Sequence, residues 1–298
     1  MVLANVCAAE TLIAKRAPLL FRVHEEPAKD KLDALRETAH AAGLNLAKGQ
    51  VLQTRHLNAL LHAAAGTDDA ELINISTLRS MSQAYYNPEN FGHFGLALKN
   101  YAHFTSPIRR YSDLIVHRSL ISAHGWGEDG LQAEEIERLE ETAQHISDTE
   151  RRSMMAERDT TDRYLAAYLS ERVGNEFSGR VSGIARFGAF VKLDETGADG
   201  LVPVRSLGRE FFHFDAERGT LMGSDTGLTI ALGQRVTVRL TQAAPVTGGL
   251  ELELLSIEDQ ALPRGRRSPA GRTAVKRKSV KAKRKKDKIK RTVQRRRN

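Results

Sequence analysis

The chain is 298 residues long, 41% hydrophobic and formally +8 at neutral pH. No apolar run is long enough to span a bilayer, Met1 to Asn5 does not open a secretory leader, and Cys7 is the only cysteine. These features exclude a membrane span, a disulfide framework and a cysteine-based zinc site, and predict a reducing, cytoplasmic setting. The charge is unevenly divided: residues 263–298 hold 18 Lys and Arg against one acid, Asp287, so the tail carries +17 and the remainder −9, which rules out a general basic nucleic-acid surface on the folded part.

In chain order, residues 1–170 are predicted to be mainly helical. Leu32, Leu35 and Ala39 share one face of a helix over 30–42 that ends at Gly43, and Leu57, Leu60 and Leu61 repeat the pattern over 52–65 before Gly66. Met81 to Tyr86 leads into a turn at Asn87-Pro88, and Phe91 to Thr105, with His93, Tyr101 and His103, is predicted to be a loop or short strand. Ser106-Pro107 has the form of a helix start, with Ile108, Tyr111, Leu114, Ile115 and Leu120 on one side. Arg109 and Arg110 then fall in the first turn, where the helix dipole favours anions, so they need an acidic partner: a nearby carboxylate or a phosphate. A glycine-rich turn over 125–130 precedes a long charged helix from Gln132 to about Glu171, bearing Glu157 in Met-Ala-Glu-Arg-Asp and an apolar stripe of Tyr164, Leu165, Tyr168 and Leu169. On its own, Glu157 reads as an ordinary solvated helix glutamate with an arginine neighbour.

Composition changes at Val173-Gly174. Five short β segments over 177–181, 189–193, 200–204, 235–240 and 250–255 predict a small closed barrel of the oligonucleotide-binding kind. Arg186, Phe187 and Phe190 put two rings and a cation where bases stack and a phosphate is met, and Phe211, Phe212, His213 and Phe214 form a second aromatic cluster; half of these rings would serve equally as barrel core. The tail lacks aromatics and is predicted to be disordered, binding phosphate backbones without sequence preference.

His93-Phe94-Gly95-Leu96, then Tyr101 to Tyr111, Asp113 and His117, resemble the signature of the ribonuclease II/ribonuclease R family. Asn5 to Ala9 and Arg22-Val23-His24 resemble the middle of that family's catalytic RNB domain, Phe187 to Val191 and Gly200 to Val202 resemble its S1 RNA-binding domain, and the basic tail points to the ribonuclease R branch. The resemblance implies an α+β chain: the C-terminal half of a mainly helical RNB domain over 1–172, a five-stranded S1 barrel over 173–260 and the tail over 261–298. It implies processive hydrolysis of RNA from the 3′ end to nucleoside 5′-monophosphates, with Arg109 holding phosphates and stabilising charge at the scissile one, and Glu157 positioning the terminal nucleotide. Arg110, Tyr111 and His93 are implied at the RNA, the last two as structural support, with Arg186, Phe187, Phe190, His213 and Arg239 as barrel contacts.

Two departures qualify these expectations. The family's magnesium-binding aspartates lie in the first half of its catalytic domain, which this sequence does not contain, and Asp68-Asp69 is a poor substitute because two-metal hydrolysis needs several converging carboxylates. Magnesium is thus implied for the full-length enzyme, with no ligands in this chain. Pro203 also stands where many S1 domains have a histidine. The expectation is the C-terminal portion of a 3′-to-5′ exoribonuclease; the alternative is an inactive module that binds single-stranded or structured RNA, or ribosomes, through barrel and tail.

Overall fold

The computed structural model describes residues 1–47, 52–67, 69–208, 210–215 and 219–262. The expected α+β architecture holds. The first part comprises helices α1 (Val2–Ala14), α2 (Lys29–Ala41), α3 (Thr54–Ala64), α4 (Ala70–Ser80) and α5 (Tyr111–His124), with a two-stranded ribbon of β1 (Phe21–Val23) and β2 (Tyr85–Asn87). After α6 (Ala133–Glu137), the long helix α7 (Leu139–Ser170) leads into an all-β part.

Three apolar clusters hold the helical part. Leu32, Leu35, Leu57, Leu60 and Ile73 join α2, α3 and α4; Ala9, Leu12, Val23 and Val116 join α1, β1 and α5; Leu20, Tyr86, Ile115, Leu139 and Ala143 bring α7 against the ribbon and α5. α2 and α3 match their predicted spans, followed by Gly43 and Gly66 at φ +72° and +80°, a backbone region that glycine enters without steric cost. α4 escaped the periodicity because its buried side is Ile73, Thr77 and Ser80, two of them polar.

Two helix boundaries differ from expectation. α5 begins at Tyr111, not Pro107: the amides of Arg109 and Arg110 both donate to the Ser106 carbonyl, closing a turn over 107–109, and Arg110 is extended at φ −125°, ψ 120°. Ile108, expected on the apolar side, is 100% exposed in that turn. The long charged helix is interrupted at Arg138, which ends α6 and precedes α7.

The β part has β3 (Glu176–Ala185), β4 (Gly188–Leu193), β5 (Asp199–Pro203), β9 (Arg235–Ala244) and β10 (Gly249–Ile257), each containing most or all of one predicted segment. β3 pairs with β4 and β9, β4 with β5, β5 with β10, and β10 with β9, so the five strands close a barrel. At Gly200 a Cβ would approach Leu252 Cδ1 to 2.5 Å, so only glycine lets β5 lie this close to β10. Helix α8 (Val204–Leu207) and strands β6 (Phe212–Asp215), β7 (Thr220–Gly223) and β8 (Thr229–Ala231) occupy the connection before β9, and β11 (Gln260–Ala261) extends β10. Residues 263–298 of the predicted tail, and Asp68, lie outside the described residues, while Ala261 at the tail's expected start pairs in β11.

α7 belongs to both parts. Its first turns bury Leu139, Ala143 and Ser147 in the helical part, while Ala166 and Leu169 enter the barrel core; residues 152–161 between them are exposed on every side. Leu169→Ala should therefore destabilise the barrel by about 2–5 kcal/mol in a urea melt, the usual cost of a large-to-small change in a closed core.

Candidate active site and nucleic-acid interface

The turn carrying Arg109 is fixed from behind by Asp113, on the first turn of α5. The Asp113 side chain is 0% exposed; its Oδ1 accepts the Ser106 amide at 2.7 Å and Arg110 Nη2 at 2.8 Å, and its Oδ2 accepts the Ser112 hydroxyl at 3.1 Å and lies 2.8 Å from Arg110 Nε. Burial raises the carboxyl pKa, but the bonds from Arg110, the Ser106 amide and Ser112, with the Arg110 charge, outweigh it and hold the group below its ordinary value. Of the two partners left open for the arginine pair, Arg110 thus takes the carboxylate. Arg109 is exposed and makes no ion pair among the described residues.

Behind this turn lies a polar and aromatic network. Arg22 on β1 pairs with Glu150 on α7 at 2.6 and 3.1 Å and lies 4.7 Å over the Tyr86 ring. The Tyr86 hydroxyl meets His103 Nδ1 at 2.9 Å, and its amide donates to Ser147 Oγ at 3.0 Å. His24 stacks on His93 at 5.1 Å, His93 meets Tyr101 edge-on at 5.2 Å, and Asn5 Nδ2 donates to the Tyr101 hydroxyl at 3.0 Å. His117 Nε2 bonds the Phe104 carbonyl at 2.8 Å. The motif from His93 to His117 is thus largely an internal brace, and its turn and helix start present Ile108, Arg109 and the half-exposed Tyr111 outward.

His93, implied at the RNA as structural support, accepts the Leu96 amide on Nδ1 and caps a short turn over Phe94–Leu96. Glu157 is exposed in the free-standing stretch of α7. It follows Glu150 by seven residues, which places it about 10 Å further along nearly the same helix face, the one that Glu150 turns toward Arg22. No contact joins Arg109 to Glu157 among the described residues. No three His, Cys, Asp or Glu side chains converge as metal ligands among the described residues, so the described residues do not fit a magnesium site.

On the barrel, Phe187 is 59% exposed and meets Phe190 edge-on at 5.9 Å, with exposed Arg186 beside them. Phe190 faces outward because its neighbours Ala189 and Val191 fill the core. In the second cluster, Phe212 is core, whereas His213 is exposed beneath Phe211 at 4.8 Å. Arg239, expected at the RNA, has its guanidinium between Glu176 at 2.8 Å and Glu253 at 3.2 Å on the two neighbouring strands, a cross-strand ion-pair ladder. Pro203 is buried, opposite Gly188.

Sequence patterns missed Arg22, Tyr86 and Glu150 as site-forming residues. Arg22 and Glu150 are 128 positions apart, and only the Arg-Val-His triplet hinted at the first.

Burial pushes His93 and His103 down to about 4, with neighbouring charges adding to it. Since both native values lie below the unfolded value of 6.5, the unfolded chain binds more protons below that pH. Stability should be insensitive to these groups above pH 6.5, fall steadily toward pH 4 and level off below it. Urea midpoints across this range should show the fall, and His103→Phe should flatten it.

Residues 1–124 match the RNB domain family and residues 170–254 the S1 RNA binding domain family. The chain is 38% identical over 295 residues to ribonuclease R of Escherichia coli strain K12, a match covering 94% of this chain and 36% of that protein. Among solved structures it is similar to Mycoplasma genitalium RNase R, both in its apo form and in complex with ribose methylated single-stranded RNA. Each match has a TM-score of 0.77 and 32% identity and covers 85% of this chain and 40% of that one. The chain thus spans little more than a third of the length of such relatives; within that span it carries an RNB segment followed by an S1 RNA-binding domain and is a homologue of ribonuclease R.

Proposed function

We propose that this chain is the C-terminal portion of a cytoplasmic, processive 3′-to-5′ exoribonuclease that hydrolyses RNA to nucleoside 5′-monophosphates. The observation that carries the proposal is Arg109: an exposed guanidinium with no ion-pair partner among the described residues, on a turn held rigid by the buried Asp113. Hydrolysis of a phosphodiester concentrates negative charge on the non-bridging oxygens, and a preorganised guanidinium fork meets two of them at once. Glu157 positions the terminal nucleotide, Tyr111 flanks the phosphate, and Arg186, Phe187, Phe190 and His213 hold the strand further upstream. Magnesium, which the reaction uses in the whole enzyme, is held by carboxylates outside this chain.

The absence of a three-ligand cluster among the described residues favours a second reading, in which the chain alone binds RNA or ribosomes without cutting. Incubation with 3′-labelled single-stranded RNA and magnesium separates the two. Retention without cleavage is expected of the isolated chain, whereas mononucleotide release abolished by EDTA would show that it carries a complete site. In the intact enzyme, Arg109→Lys should lower turnover by about 10²–10³ while leaving RNA affinity within a few-fold, because lysine keeps the charge and loses the fork. Equal turnover would remove Arg109 from the assigned role.

The 263–298 segment is proposed as a non-specific phosphate-backbone contact, to RNA or ribosome. Deleting it should weaken RNA binding most at low salt and flatten the dependence of log K on log salt; an unchanged slope would exclude that contact.

A further inference from the structure

β3 carries a bulge: Val181 pairs with Val191 and Gly183 with Phe190, which leaves Ser182 as the extra residue with no ladder partner of its own. Its carbonyl is taken up from the other part of the molecule, where Arg79 near the end of α4 donates Nη2 to it. The Ser182 hydroxyl donates to Asp199 on β5 at 3.0 Å. At Gly183 a Cβ would lie 3.2 Å from Arg79 Nη2 and 3.3 Å from Phe190 Cδ2, so the guanidinium and the ring meet over the same glycine. Arg79 is exposed, and among the described residues it makes no ion pair and has no other hydrogen bond. Joining a neutral carbonyl requires only one N–H; a full positive charge left unneutralised beside an aromatic ring is more than a latch needs.

We infer that Arg79 extends the Phe187–Phe190 surface across the junction onto α4 and binds the phosphate backbone of single-stranded RNA whose bases stack on those rings. Stacking rings with an adjoining cation are the elements of a sequence-tolerant single-strand site. The same side of the barrel carries further cations, Arg180 and Lys192 opposite one another on β3 and β4 and Arg186 on the β3–β4 turn, while the acid Asp199 is engaged by Ser182. The strand path thus runs from barrel to RNB segment over a contact contributed by both.

This inference rests on the proposed RNA-binding role of the barrel, and the test separates the two. The full 298-residue chain is titrated with 5′-fluorescein-labelled decauridylate, followed by anisotropy, from about 50 to about 200 mM salt. Arg79→Gln retains a donor for the Ser182 carbonyl but removes the charge; it should weaken binding several-fold at the lower salt and reduce the salt slope by about 0.7, the share of one phosphate on a single strand. Arg79→Lys, which keeps the charge, should keep most of the slope, and both variants are checked for an unchanged thermal midpoint. An unchanged slope in Arg79→Gln, with Phe187→Ala clearly weakened, would make Arg79 a latch only and overturn the inference. Unaltered binding in Phe187→Ala would overturn the barrel role and this inference with it.

Discussion

Asp113 places a carboxylate in the protein interior, with no exposure to solvent, and the chain around it is shaped by that burial. A buried negative charge is tolerated only when donors surround it, and here they come from three neighbours: the Ser106 amide, the Arg110 guanidinium and the Ser112 hydroxyl. Meeting that need draws residues 106–110 back over the helix start, delays α5 to Tyr111 and turns Ile108 and Arg109 outward. An ion pair of this kind is a poor source of net stability, because desolvation offsets most of its attraction. Its value is geometric: one arginine is immobilised so that the next is presented.

The brace behind the turn works in the same way over longer distances. Arg22 reaches Glu150 on α7 and lies over Tyr86, and Tyr86 reaches both His103 and Ser147. The loop, the ribbon and α7 are therefore one mechanical unit. α7 then continues as a single helix into the barrel core through Ala166 and Leu169, so the barrel surface stands at a set offset from Arg109. The Arg79 contact at the β3 bulge is a second tie between the two parts.

The stretch of α7 from 152 to 161, exposed on all sides, contains Glu157 and the adjacent Met154 and Met155. A helix segment with no packed face gains nothing from burial and is held here only by its two anchored ends.

Local physics made much of this legible in the sequence. α2 and α3 were visible because leucines recur at helical spacing and glycines follow; the five barrel strands were visible because alternation, β-branched residues and glycine turns coincide. α4 was not, because two of its buried positions are polar. The Ser106-Pro107 start was misplaced because a local capping rule competed with a buried carboxylate seven residues ahead. Arg110 and Arg109 are indistinguishable by composition, and only the folded chain gives one to Asp113 and leaves the other without an ion pair among the described residues; Arg239, too, meets Glu176 and Glu253 only through its neighbouring strands. By itself, then, the sequence determined which segments become helices and strands, since that depends on neighbours a few residues apart. Which charges are neutralised and which remain for a ligand was decided only by tertiary structure, because it depends on what residues distant along the chain bring within hydrogen-bonding reach.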